Sequence, residues 1–393
     1  MKNKYNFDEI IERRGTSSLK YDCAERFGRP KDALPLWVAD MDFSVPLDVT
    51  KALENHVSHG IYGYTESDAN YFNAVENWFK TYHNYKIEEP WVVKTPGVVF
   101  ALGMAIKAFT EIGDKILIQK PLYYPIENSI VRNNRIVVDN TLVYKNGCYT
   151  IDMADFEEKI SKNNVRMFIL CNPHNPVGRV WTKDELAEMG RICKKYNCLV
   201  VSDEIHCDLV FNNHIHLPFA TVDDNFVENS IILTAPSKTF NLAGLQVSNV
   251  FIPDKKLRNA FKHEIIATGY SQLNTLGLIA CSAAYIHGYE WLIELKEYLL
   301  QNANYVIEFF AKHLPQVKVI PLEGTYLMWL DFNSVNLTHS QMQEVLDTAK
   351  VWLSSGTSFG ATGEGFWRIN IACPKSTIET ALNRIINVIN NTI

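Results

Sequence analysis

From about residue 90 to 250 the chain alternates short apolar runs with stretches whose apolar residues recur every three or four positions, the pattern of strands feeding helices. Trp91-Val92-Val93 reads as a strand, Thr95-Pro96-Gly97 as a turn, and Val98 to Phe109 as a helix. Lys115 to Ile118 is a second strand and Arg166 to Leu170 a third. The third runs into Cys171-Asn172-Pro173-His174-Asn175-Pro176-Val177-Gly178, a turn-rich segment that no helix can cross. Thr182 with Glu185 forms a capping box, and Leu186, Met189 and Cys193 follow on one helical face. Cys198 to Ser202 and Ile231 to Ala235 are further buried strands. Such alternation predicts an α/β fold, a large domain whose mostly parallel sheet is covered by helices. After Tyr289 the pattern changes to a long helix through about 313, a strand pair near 317–332, a helix near 339–350 and a last helix from about 376. That reads as a smaller α+β domain.

The expected organisation is therefore an N-terminal arm over 1–45 with one short helix, a large domain over 46–288 and a small C-terminal domain over 289–393. Gly60-Ile61-Tyr62-Gly63-Tyr64-Thr65 reads as an exposed loop presenting rings, although a packing loop accounts for the same residues. The glycine-rich run Gly356 to Gly365 reads as a flexible loop ahead of Phe366-Trp367-Arg368. With 393 residues, 47% of them hydrophobic, the chain can bury one large core and a second, smaller one. A net charge of −6 offers no basic footprint for nucleic acid and no polybasic patch for a membrane surface, which favours small-molecule work. The first eight residues lack the apolar core of a signal peptide, and the eight scattered cysteines read as reduced thiols, so a cytoplasmic location is expected.

Candidate chemistry gathers at the predicted strand ends, where ligands bind in open α/β sheets. Three such ends carry Asn172, Asp203 and Lys238. A lysine at a buried strand end is costly to charge, which pushes its amine toward the neutral form that attacks carbonyls. An aspartate 35 residues before it can hold a ring nitrogen protonated, and together they are what pyridoxal 5'-phosphate chemistry needs. Gly97, Val98 and Val99 at a helix start, with Ser237, can hold the phosphate. Tyr123 can stack on the ring, Asn172 can donate to the ring hydroxyl, and Arg368 offers a bidentate fork for an amino acid carboxylate. His206, Cys207, His214 and His216 could bind zinc, but a polar loop beyond a strand is the preferred account of them, and no metal is assigned.

Over essentially its whole length the chain resembles fold type I pyridoxal phosphate enzymes, the aspartate aminotransferase superfamily. Trp37 to Phe43, Asp203-Glu204-Ile205-His206 and Ser237 to Leu245 are similar to the MalY/PatB group of cystathionine β-lyases, or cysteine C–S lyases. The resemblance implies Lys238 as Schiff-base lysine, Asp203 as pyridinium partner, Asn172 as ring-hydroxyl donor and second contact for the substrate carboxylate, Tyr123 as stacking ring, Tyr124 beside the substrate, and Arg368 as carboxylate clamp. It also implies a homodimer in which Tyr64 reaches the neighbouring subunit's phosphate. Gln246 stands where the aminotransferases usually have an arginine, and His206 where they tend to have a tyrosine; both fit the lyase group. The implied activity is β-elimination from cystathionine or related thioethers, giving pyruvate, ammonia and a thiol. Aminotransferase activity remains the alternative, and some members of the group also act as regulatory partners of a transcription activator.

Overall fold

The computed structural model describes residues 4–392; residues 1–3, at the start of the predicted arm, and residue 393 lie outside the described residues. Seven strands form the principal sheet, numbered in chain order: β1 Val92–Thr95, β2 Lys115–Ile118, β3 Ile136–Asp139, β4 Met167–Cys171, β5 Leu199–Asp203, β6 Ser230–Thr234 and β7 Ser248–Phe251. Their order across the sheet is β1-β7-β6-β5-β4-β2-β3. Neighbours pair in parallel except around β7, which runs antiparallel to both β1 and β6.

The central strands are mostly apolar because both faces are buried, with polar residues only at their ends. In β4, Met167, Ile169 and Cys171 enter one core while Phe168 and Leu170 enter the other, the two-residue alternation of a pleated strand. Helix Val98–Phe109 packs in the first core; Lys183–Lys195, closed by the expected Thr182–Glu185 capping box, packs in the second. The register sets Cys171, Asp203 and Leu233 level across β4, β5 and β6, so the segments leaving these strands emerge side by side.

A second, antiparallel sheet takes the order Lys318–Val319, Leu327–Asp331, Phe366–Asn370, Ser354–Ser355. Helices Tyr289–His313, His339–Thr348 and Lys375–Thr392 accompany it. The arm is less irregular than expected: besides helix Leu19–Asp22 it holds a 3₁₀ turn, Glu25–Phe27, and Leu34–Pro35 pairs in parallel with Val351–Trp352. Helices Leu47–His59 and Ala69–His83, to which the sequence pattern assigned no element, flank the loop carrying Tyr64.

The run 356–365 corrects an expectation. It is two packed 3₁₀ turns, Gly356–Phe359 and Ala361–Gly363, with Gly356, Phe359 and Gly363 buried. A Cβ on Gly356 would stand 2.0 Å from the Gly363 carbonyl oxygen, so the glycines serve close backbone approach rather than mobility.

Candidate active site

Lys238 follows β6 on the one-turn helix Pro236–Thr239 and opens into two cavities. The inner one, about 240 Å³, is bounded by Gly97 to Val99, Tyr123, Asn175, Asp203, His206, Ser237 and Lys238. Gly97 caps the helix Val98–Phe109 at φ 122°, a conformation that keeps side chains other than glycine out and leaves the first N–H groups of the helix open. Burial is the main influence on Lys238: against the pull of Asp40 and Asp203 it brings the amine down to about 8. Nζ meanwhile donates to the Ala39 carbonyl.

Three buried carboxylates lie at or just beyond the end of β5, and their partners separate their roles. Glu204 accepts Ser202 Oγ at 2.8 Å, His216 Nε2 at 2.9 Å and the Phe219 N–H at 2.8 Å. Asp208 accepts Trp78 Nε1, His83 Nε2 and Thr239 Oγ1 at 2.9, 2.7 and 2.6 Å. Both are committed to the protein. Asp203 accepts the Ile205 N–H at 3.2 Å and otherwise faces the cavity, and burial, with Glu204 alongside, pushes its carboxyl up to about 7. A cation brought to it would restore its charge. Burial, together with Lys238 and Arg368, holds the His206 imidazole well below its usual range, so it is neutral, and its Nδ1 has no partner among the described residues.

The outer cavity, about 270 Å³, shares Ala39, Tyr123 and Lys238 with the inner one and adds Arg368, Tyr124, Trp37 and Trp352. Arg368 is 4% exposed. Its Nη1 donates to Asn175 Oδ1 at 2.9 Å and its Nη2 to the Trp37 carbonyl at 2.7 Å and Ser354 Oγ at 3.2 Å, while Nε has no partner among the described residues. Burial lowers its guanidinium to about 10, so it stays charged at neutral pH. The segment 37–43 ties the two sheets together at this point. Asn370 donates to the Val38 and Asp40 carbonyls, Tyr326 to that of Ala39, and Asn241 to those of Met41 and Phe43.

Most predicted residues converge, but two do not. Asn172 is turned away: Nδ2 donates to the Leu217 carbonyl at 3.4 Å and Oδ1 accepts the Trp181 N–H at 3.3 Å. Asn175, three residues on, lines the inner cavity and grips Arg368 instead, so the position assigned to Asn172 is corrected to Asn175. Tyr64 is 99% exposed and borders a separate open cleft with Tyr270 and Gln272, away from its own chain's Lys238 cavities. The four residues of the zinc alternative are not gathered either, since His216 bonds Glu204, His206 lines the inner cavity and His214 is exposed.

The inner cavity suits pyridoxal phosphate group by group: an amine of lowered basicity for the aldehyde, a carboxylate with open valence for the ring nitrogen, a ring wall in Tyr123, and a helix start with Ser237 for the phosphate. Sheet order and lysine position define a fold type I pyridoxal phosphate enzyme. More narrowly, the chain belongs to the aminotransferase class I and II family, whose profile matches residues 31–385. It is 44% identical over 382 residues to cystathionine beta-lyase PatB of Bacillus subtilis (strain 168), covering 97% of this chain and 98% of that protein. To protein MalY of Escherichia coli (strain K12) it is 32% identical over 389 residues, 98% of this chain and 99% of that one. Cystalysin from Treponema denticola, whose structure contains a pyridoxal 5'-phosphate cofactor, superposes with TM-score 0.96 at 35% identity, covering 99% of this chain and 100% of that one.

Proposed function

We propose that this protein is a pyridoxal phosphate-dependent C–S β-lyase that converts cysteine thioethers such as cystathionine to pyruvate, ammonia and a thiol. The observation that carries this reading is the place of Lys238 in the shared wall of two cavities, one suited to the cofactor and the other holding a buried arginine with an unpartnered Nε. Its kinship with proteins named for cystathionine cleavage supports the choice of reaction.

Lys238, Asp203, Ser237, Gly97 to Val99, Tyr123, His206 and Asn175 would hold the cofactor, which when bound supplies a sink for the electrons left by a departing α-proton. Arg368 binds the substrate α-carboxylate and aims the α-hydrogen at Lys238. The Lys238 amine, neutral in about one molecule in ten at pH 7 for a value of about 8, takes that proton. The Cβ–S bond then breaks with its electrons on sulfur, and water converts the released enamine to pyruvate and ammonia. Lys238, now an ammonium, is the better acid for the departing sulfur, because burial pushes the Tyr123 phenol up to about 12, far above a thiol near 8.5. Tyr123 and Tyr124 serve as walls.

We also propose a homodimer in which Tyr64, fully exposed on its own chain, enters the neighbouring site, and a division into an arm (1–45), a large domain (46–288) and a small domain (289–393). Among the described residues no helix is long and apolar enough to cross a membrane. All eight cysteines are free, six of them buried, which supports a cytoplasmic location. Incubation of the loaded protein with cystathionine tests the reaction. Pyruvate release in excess of amino-group exchange with an added keto acid is expected; efficient exchange without pyruvate would make it an aminotransferase.

A further inference from the structure

We infer that the outer cavity selects thioethers whose sulfur carries an uncharged, preferably aromatic, substituent, and that Phe27 and Trp352 determine this choice. The inference rests on the C–S lyase reading above and names its substrate class. With the α-carboxylate on Arg368 and the reacting carbons at Lys238, the sulfur substituent has the rest of the outer cavity to fill. Three rings form its far wall. Trp37 and Trp352 stack at 4.1 Å with 13° between planes, and Phe27 leans on both at 5.3 and 5.6 Å. Phe27 is 46% exposed, so this wall has apolar surface left to cover.

Apart from the neutral hydroxyls of Tyr123, Tyr124 and Ser358, the polar groups around that wall are already engaged. Besides Lys238 and Arg368, Arg29 is the one ionic residue of the lining, and its Nη1 lies 3.2 and 3.1 Å from the two Asp347 carboxylate oxygens. Ser354 Oγ serves Arg368 and the Trp37 carbonyl, and Ser355 Oγ serves His339 and Thr357. The lining contains no carboxylate. A substituent ending in an amino acid group, as in cystathionine, must desolvate its ammonium there with no anion in the wall and compete with Asp347 for Arg29. A benzyl group meets rings and loses nothing. Covering a phenyl ring corresponds to a preference of roughly ten- to a hundredfold.

The test compares kcat/KM for pyruvate release from S-benzylcysteine, S-methylcysteine and cystathionine, in the wild type and in Trp352→Ala and Phe27→Ala. S-benzylcysteine is expected to exceed cystathionine by about tenfold or more. Each substitution should lower the S-benzyl to S-methyl ratio by about tenfold, through KM rather than kcat. Phe27, being half exposed, keeps the test open should Trp352→Ala fail to fold. If all three thioethers react but S-benzylcysteine has no advantage and the ratio stays fixed in the variants, the specificity inference fails and the lyase reading stands. If none releases pyruvate, the lyase reading fails and takes the inference with it.

Discussion

Arg368→Lys is the substitution whose cost can be worked most closely from the geometry. The guanidinium spans Asn175 Oδ1 on one nitrogen and the Trp37 carbonyl with Ser354 Oγ on another, leaving Nε without a partner in a buried position. A lysine has one nitrogen at the end of its chain. It cannot bond Asn175 and the Trp37 carbonyl and still offer a planar pair of donors to a carboxylate. At least one charge-assisted hydrogen bond is lost, about 1.5–3 kcal/mol, or roughly ten- to a hundredfold in affinity. Since Arg368 is charged at pH 7 with a value of about 10, the loss is geometric and not a change of protonation. Pyruvate release from S-methylcysteine, followed through lactate dehydrogenase, should show KM raised by that factor with a much smaller change in kcat. Cofactor absorbance should match the wild type. A KM within about threefold of wild type would refute the carboxylate clamp.

Three further outcomes are expected. Lys238 must be neutral to attack the cofactor aldehyde, and its folded value lies near 8, below the ordinary 10.5, so the rate of cofactor uptake by cofactor-free protein should rise with pH, with a midpoint near 8; stopped-flow absorbance measures it, and a midpoint above 10 contradicts it. Asp203 has a folded value of about 7, above the ordinary 3.8, so the cofactor-free fold holds a proton that the unfolded chain releases and loses stability as pH rises from about 4 to 7. Asp203→Asn should therefore stabilise the cofactor-free protein at pH 8 by a few kcal/mol, read by urea melts, while cutting activity by roughly hundreds to thousands of fold; a less stable variant would mark Asp203 as structural. Mixing Lys238→Ala with Tyr64→Ala chains under subunit exchange should restore about a quarter of wild-type activity, since about half the dimers are mixed and each has one intact site of two; no recovery with exchange confirmed by mass confines Tyr64 to its own chain.

Much of this was readable from periodicity. Helix Val98–Phe109 and strand Lys115–Ile118 fall on the residues their patterns predict, because each is bounded by a turn or a polar residue. The antiparallel sense of β7 was not readable, since a buried strand has the same apolar pattern in either direction. The places of Asp203, which ends its strand, and Lys238, four residues past the next strand, beside the inner cavity were legible because a polar group at or just beyond the end of an apolar strand is conspicuous. Asn172 and Asn175 were not separable, as both precede prolines in one turn and only the fold decides which amide faces the cavity. Phe27 and Arg29 were missed because they reach the outer cavity only when the arm folds back along Val351–Trp352.

The account stands on Lys238 as the amine that holds the cofactor. Reduction of the yellow, cofactor-loaded protein with borohydride, followed by peptide mapping, tests that directly. One pyridoxyl group per chain on the peptide containing Ser237-Lys238-Thr239 is the predicted result. A label on any other lysine, or none at full cofactor occupancy, would contradict it.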